Sequence, residues 1–300
     1  MNVKHATTKN SPGGVLAASY AVAVWGYGNV LARMIPISGP LLSVLRMSLG
    51  AIIAIAMAYS TRRKLTVRIL KLGLWGGVAF GLNSLFFFSA VKYTSPTTAT
   101  VIGALQPALL MTVSGRLFGE KVTTKTIFGS IVAIAATALV VFGAPRSGHD
   151  SLFGDFLALL ALVTYALYFI FSKQARLKID TIEYQAGMQI SAALVVLPFG
   201  IFLGGASSIT IHSLYLVAIL TIIPGSGHFF INWAHSHLEL TLASILTLST
   251  PIVTMIFAWI LLGDKVNLNQ IIGTAIAIGA LVFVVVDGTN QKPKIDTSLN

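Results

Sequence analysis

Arg46 lies about seven residues into an apolar run, 40–59 (PLLSVLRMSLGAIIAIAMAY), with no Asp or Glu beside it. A cation at that depth is costly and normally faces a wet cavity or a partner. Its fork of donors suits a carboxylate or a phosphate. The competing role is anchoring, with the guanidinium bonded to carbonyls and helix ends. His228 and Asn232 are four residues apart and so share a helix face, just after Pro224-Gly225-Ser226-Gly227, a stretch that distorts a helix. His228 is the one group deep in an apolar run that titrates near neutrality, which makes it a candidate for solute contact or proton coupling. Its alternative is a buried imidazole bonded to a carbonyl; His235 is expected at the interface. Trp25 and Asn29 form another i, i+4 pair, and Asn83, Ser84, Tyr165 and Tyr168 add amides, a hydroxyl and aromatic surface. Aromatics with a few amides are how small metabolites are usually held. Interhelical hydrogen bonding is the structural alternative.

The acids are informative by their positions. Glu120, Asp150, Asp155, Asp180, Glu183, Glu239, Asp264, Asp287 and Asp296 all fall in connections or at the ends of apolar runs. An enzyme would need acids or histidines clustered near one interface, and no such cluster is present. The chain has no cysteine, which excludes disulfides, thiolate metal sites and a cysteine nucleophile. No nucleotide-binding loop is recognisable, so no ATP, cofactor or metal is implied. The chemistry on offer is the holding of a small solute, not the making of bonds.

The elements that must position these residues are membrane helices. Hydrophobic residues make up 55% of the chain and charged ones 10%, with a mean hydropathy of +0.85. A soluble domain carries about a quarter charged residues. Apolar runs of membrane-crossing length recur without the alternation of barrel strands, so they are read as helices. The expected spans are 14–35, 40–59, 71–91, 96–118, 125–143, 153–173, 182–203, 212–233, 240–262 and 267–287. The fold class is therefore all-α integral membrane with ten helices. Residues 1–13 and 288–300 are polar tails.

The second half repeats the first. PALLMTVSGRLFGEKV at 107–122 returns as PIVTMIFAWILLGDKV at 251–266, a constant offset of 144 (107 to 251, 120 to 264). Gly129 falls on Gly273 and Ala133 on Ala277. The repeats are 14–143 and 153–287, joined by APRSGHDSL at 144–152. Five spans per half is an odd number, so the second half enters the membrane inverted. With the N-terminus inside, Lys4, Lys9, Arg62, Arg63, Lys64, Arg68, Lys71, Arg116, Lys121, Lys125, Lys173, Arg176, Lys178, Lys292 and Lys294 are cytoplasmic. Only Arg33, Lys92, Arg146 and Lys265 are external. This positive-inside distribution places both termini in the cytoplasm. The formal charge of +11 thus reports topology, and nucleic acid is not an expected partner. Gln189 stands at roughly the place of Arg46 in the inverted repeat. Pro107 and Pro251 occupy matched positions in their spans, where proline kinks a helix, and are candidate hinges. Gly129-Ala133-Ala136 and Gly273-Ala277-Ala280 are small-residue stripes for packing the fifth span on the tenth.

The duplicated proline-to-GEK/GDK stretch with its following glycine, Trp25-Gly26 with Asn29, Arg46, and the Ala90/Ala234 position together resemble the drug/metabolite transporter superfamily, in its ten-helix EamA-type branch. The resemblance covers roughly residues 14–287. It implies two inverted five-helix repeats, a central cavity and carriage of small organic metabolites, often export of amino acids. Small multidrug-resistance relatives use a glutamate in the first helix to exchange cationic drugs for protons; here LAASYAVAVWGYGNVLARMI has no acid. A neutral, zwitterionic or anionic solute is therefore expected, with Trp25, Asn29, Arg46, Asn83, Tyr168, Gln189, His228 and Asn232 as its contacts. An importer or exchanger of a phosphorylated or nucleotide sugar is the alternative. The expected setting is the cytoplasmic membrane, with the lipid bilayer and a small molecule as partners and the monomer as the working unit.

Overall fold

The computed structural model describes residues 10–93, 102–103, 105–120, 122–142, 152–205, 209–263 and 267–290. All the regular structure in these residues is helical. The first part of the fourth expected span, most of the 144–152 connection, both tails, Lys121, Asp264 and Lys265 lie outside the described residues.

The first half supplies α1 (Pro12–Met34), α2 (Gly39–Ser60), α3 (Val67–Tyr93), α4 (Gln106–Phe118) and α5 (Thr124–Phe142). The second supplies α6 (Leu152–Arg176), α7 (Thr181–Leu203), α8 (Ile211–Ala234), α9 (Leu240–Leu246), α10 (Thr250–Leu262) and α11 (Leu268–Asn290). Seven stretches among the described residues are long and apolar enough to cross a membrane, and Thr124–Ala136 and Leu268–Val284 are shorter apolar helices.

Local chemistry sets the ends. Ser11 caps α1 by accepting from Gly14 N–H at 3.1 Å, with Pro12 in the first turn. The helix stops before Ile35-Pro36, because proline pushes its predecessor out of the α region. Asp180 caps α7, and Thr210 with Ser213 forms a capping box on α8. Gly119 and Gly263, matched by the repeat, both end their helices at φ 68, the left-handed conformation that favours glycine.

The ninth expected span is not one continuous helix. It breaks into α9, a 3-10 turn at Thr247–Ser249, and α10, in which Pro251 is the second residue. Pro107 likewise sits in the first turn of α4. The prolines were expected to kink helices from within: the 3-10 turn that interrupts the ninth span lies immediately before Thr250-Pro251, while Pro107 stands in the first turn of α4, where its missing N–H is no loss.

The principal helix pairings all join the two halves: α1 with α8, α2 with α7, α3 with α6 and α7, and α5 with α11. On α3, Gly73, Gly77 and Gly81 recur every fourth residue and meet α7 at the closest approach. A Cβ on Gly73 would lie 2.5 Å from the carbonyl carbon of Gly187, and one on Gly77 2.4 Å from the carbonyl oxygen of Met188. Small residues spaced in this way let backbones touch. The α5 and α11 stripes do pack together, with Ala133 and Ala277 fully buried.

Candidate functional site

One cavity of about 200 Å³ lies within the bundle. Its walls come from the later halves of α1 and α3, the earlier halves of α2 and α6, the middle of α8, the start of α4 and the break between α9 and α10. It therefore sits nearer the end away from Arg62, Arg63 and Lys64. We call the end that bears these cations the basic end.

Of the expected contacts, the structure gathers Trp25, Asn29, Arg46, Asn83 and His228 around this cavity, together with Ser84, Tyr165 and Pro251. Arg46 is 8% exposed and its guanidinium carbon stands 5.8 and 5.7 Å from the ring centroids of Phe80 and Phe88. Those rings supply cation–π attraction. Among the described residues its Nε has no hydrogen-bond partner and no carboxylate lines the cavity. The His228 ring lies 4.8 Å from Trp25 and 4.4 Å from Phe80, centroid to centroid. Trp25 Nε1 and His228 Nδ1 are also buried without a partner.

The two asparagines are tethered by their nitrogens. Asn29 Nδ2 donates to Thr254 Oγ1 at 3.1 Å, and Asn83 Nδ2 donates to the Ala161 carbonyl at 3.0 Å. Among the described residues neither carboxamide oxygen receives a hydrogen bond. The cavity thus offers a free cation with orphan donors, two amide oxygens as acceptors, and aromatic surface between them. A buried donor left unmade is costly, so such groups point to a bound partner.

Sequence reasoning missed Gln106, which is fully buried in the cavity wall. Its Oε1 accepts from Thr247 Oγ1 at 3.2 Å while its Nε2 has no partner. Gln106 and Thr250 precede the two matched prolines, and both line the cavity. A polar residue at each helix opening was the available signal.

Three expected contacts are placed elsewhere. Gln189 faces α2, where a Cβ on Gly50 would stand 3.0 Å from its Nε2. Tyr168 and Asn232 lie one turn deeper than Tyr165 and His228. Asn232 Oδ1 accepts from Tyr168 Oη and Ser172 Oγ, both at 2.7 Å, and its Nδ2 donates to Gln185 Oε1 at 2.8 Å. These bonds saturate the amide and leave it nothing to offer a solute.

His235, expected at the interface, is fully buried just beyond the last turn of α8. Its Nδ1 lies 2.6 Å from Ser172 Oγ; since that hydroxyl is spent on Asn232, His235 is the donor. Burial, and then the charges of Lys173 and Arg176, hold its pKa well below 6.5. A lowered folded-state value means stability that is full above the ordinary histidine pKa and is lost as pH falls below it. We expect the melting temperature in detergent to drop between about pH 7.5 and about pH 5.5, and His235→Gln to flatten that slope. Equal slopes in both proteins would assign the acid sensitivity to another group.

A bundle of apolar, membrane-length helices around a small cavity of polar and aromatic groups is the architecture that a membrane transporter needs. The chain belongs to the EamA-like transporter family, which matches it twice, over residues 12–142 and 152–286. It is 22% identical to the uncharacterized transporter YetK of Bacillus subtilis (strain 168), over 93% of this chain and 88% of that protein. It is 26% identical to a probable amino-acid metabolite efflux pump of Salmonella typhimurium, over 88% and 92%. A crystal structure with 18% sequence identity superposes with a TM-score of 0.77 over 92% of this chain and 98% of the other, which bears on the fold. The family and these relatives are transporters, not enzymes.

Proposed function

We propose that the protein exports a small zwitterionic metabolite, with amino acids the best-supported class, by alternating access in the cytoplasmic membrane. The observation that carries this reading is Arg46, buried and, among the described residues, unpaired in a cavity that no acid lines. Arg46 takes the carboxylate, and the oxygens of Asn29 and Asn83 take the ammonium. The size agrees, since drug-sized ligands occupy roughly 300–1,000 Å³. The name of the Salmonella relative supports the same class.

Ten spans in two inverted five-helix repeats, 14–143 and 153–287, are part of this reading, with both termini inside and the monomer as the working unit. The helix pairings support it. A two-fold that exchanges the halves requires α1–α8 to be mirrored by α3–α6 and leaves α2–α7 and α5–α11 paired across its axis. All four pairings are observed. Pro107 and Pro251, at matched helix openings, are the hinges about which the halves rock.

The charge of Arg46 alone favours a second reading, an importer or exchanger of an anionic phosphorylated or nucleotide sugar. Among the described residues the cavity wall supplies no second Lys or Arg for a doubly charged phosphate.

Counterflow in proteoliposomes decides between them. Vesicles loaded with neutral amino acids are expected to accumulate labelled amino acid, whether or not a pH gradient is imposed. Movement of phosphorylated solutes alone would overturn the amino-acid reading in favour of the second.

A further inference from the structure

At the basic end the chain buries an acid and a base that the solute cavity does not use. Glu120 follows the left-handed Gly119, and its side chain is 4% exposed; that of Lys173, near the end of α6, is 1% exposed. Lys173 Nζ stands 3.3 Å from Glu120 Oε1 and also donates to the Leu238 carbonyl. Glu120 accepts from the Leu240 N–H, and at 3.0 Å from both the N–H and the hydroxyl of Thr241. Ser114 Oγ lies 2.9 Å from the same Thr241 hydroxyl. The end of α4, the end of α6 and the start of α9 therefore meet on one carboxylate.

A buried ion pair is weak evidence for stability, because desolvation offsets its attraction. Its geometry is the informative part. Lys173 Nζ, the N–H groups of Leu240 and Thr241 and the Thr241 hydroxyl all converge on the Glu120 carboxylate, so one side chain ties three elements together. The described cavity lining reaches no further toward the basic end than Tyr165 on α6 and His228 on α8, and the Tyr168–Asn232–Ser172–His235 network lies one turn beyond them on that side. Here the bundle is shut.

We propose that Glu120 is the latch of a gate at the basic end: its bonds to Lys173 and to the first turn of α9 close the cavity on that side, and each transport cycle must release them. The proposal rests on the transport reading, but its first test needs no substrate. Because the chain has no cysteine, one introduced thiol is the only one present. Ala161→Cys puts that thiol in the cavity wall. A membrane-impermeant maleimide applied to vesicles of both orientations is expected to label it from the opposite end and to spare it from the basic end.

Glu120→Gln should raise labelling from the basic end about tenfold, the scale of one lost charge-assisted hydrogen bond. Unchanged sidedness in a variant that melts like the parent overturns the proposal. If Glu120→Gln does not fold, Ser114→Cys with Thr241→Cys decides. Oxidation should stop counterflow reversibly, with reductant restoring it, whereas undiminished flux in the cross-linked protein overturns the latch. A reduced form that never transports would instead refute the transport reading.

Discussion

Arg46→Gln removes solute flux while leaving the fold intact. The guanidinium makes no hydrogen bond to the protein among the described residues, so its loss unzips no network. What disappears is the one positive charge that the described residues place in a cavity where low dielectric strengthens every polar contact. Two charge-assisted bonds to a carboxylate correspond to a fall of about 100-fold or more in the rate at low solute concentration. The melting temperature should hold or rise slightly, because an unpaired buried charge has been removed. Arg46→Lys should recover only part of the flux, since the charge returns without the planar fork. Initial counterflow rates read beside melting curves separate the two roles. An anchoring arginine would lose flux and stability together.

Gly73→Val prevents the bundle from closing. A Cβ at that position would stand 2.5 Å from the carbonyl carbon of Gly187 and 2.6 Å from Met188 N, which are backbone atoms with no rotamer to yield. Overpacking in a well-packed interior costs about 1–3 kcal/mol, and a β-branched side chain between two backbones belongs at the upper end or beyond. We expect little folded protein after detergent extraction, and a melting temperature lowered by about 10 °C in any that survives. As a control, Gly279→Val should be nearly neutral, because a Cβ there meets nothing within 4 Å. Similar behaviour of the two variants would refute close α3–α7 packing.

The candidate site was partly legible because a polar side chain in an apolar run has few reasons to be there. Trp25, Asn29, Arg46, Asn83 and His228 reach the cavity for that reason. Helical spacing also placed Tyr168 and Asn232 on the correct faces. It could not set their depth, and the cavity ends one turn above them, where a saturated hydrogen-bond network begins. Gln189 shows the limit of arguing from duplication: it matches Arg46 in the repeat, yet its amide is enclosed against Gly50 of α2. Gln106 was passed over because the proline beside it drew the reading toward bending. The Gly73-Gly77-Gly81 spacing was visible, but the partner face of α7 was not, since a packing partner so remote in sequence leaves no local periodicity.

That the main helix pairs join opposite halves also governs how the protein can be made. The partner of α1 is α8, which begins about 180 residues later, from Met34 to Ile211. At a synthesis rate of roughly 5–20 residues per second, α1 waits on the order of 10–40 s for the surface it will bury against. For nearly all of that interval Arg46, and for the second half of it Glu120, is in place without the second-half segments that enclose it. The early helices must be held at the insertion site, or by a membrane chaperone, until the later ones arrive. A premature stop anywhere before α8 leaves no partial carrier, only helices with exposed polar faces for quality-control proteases to remove.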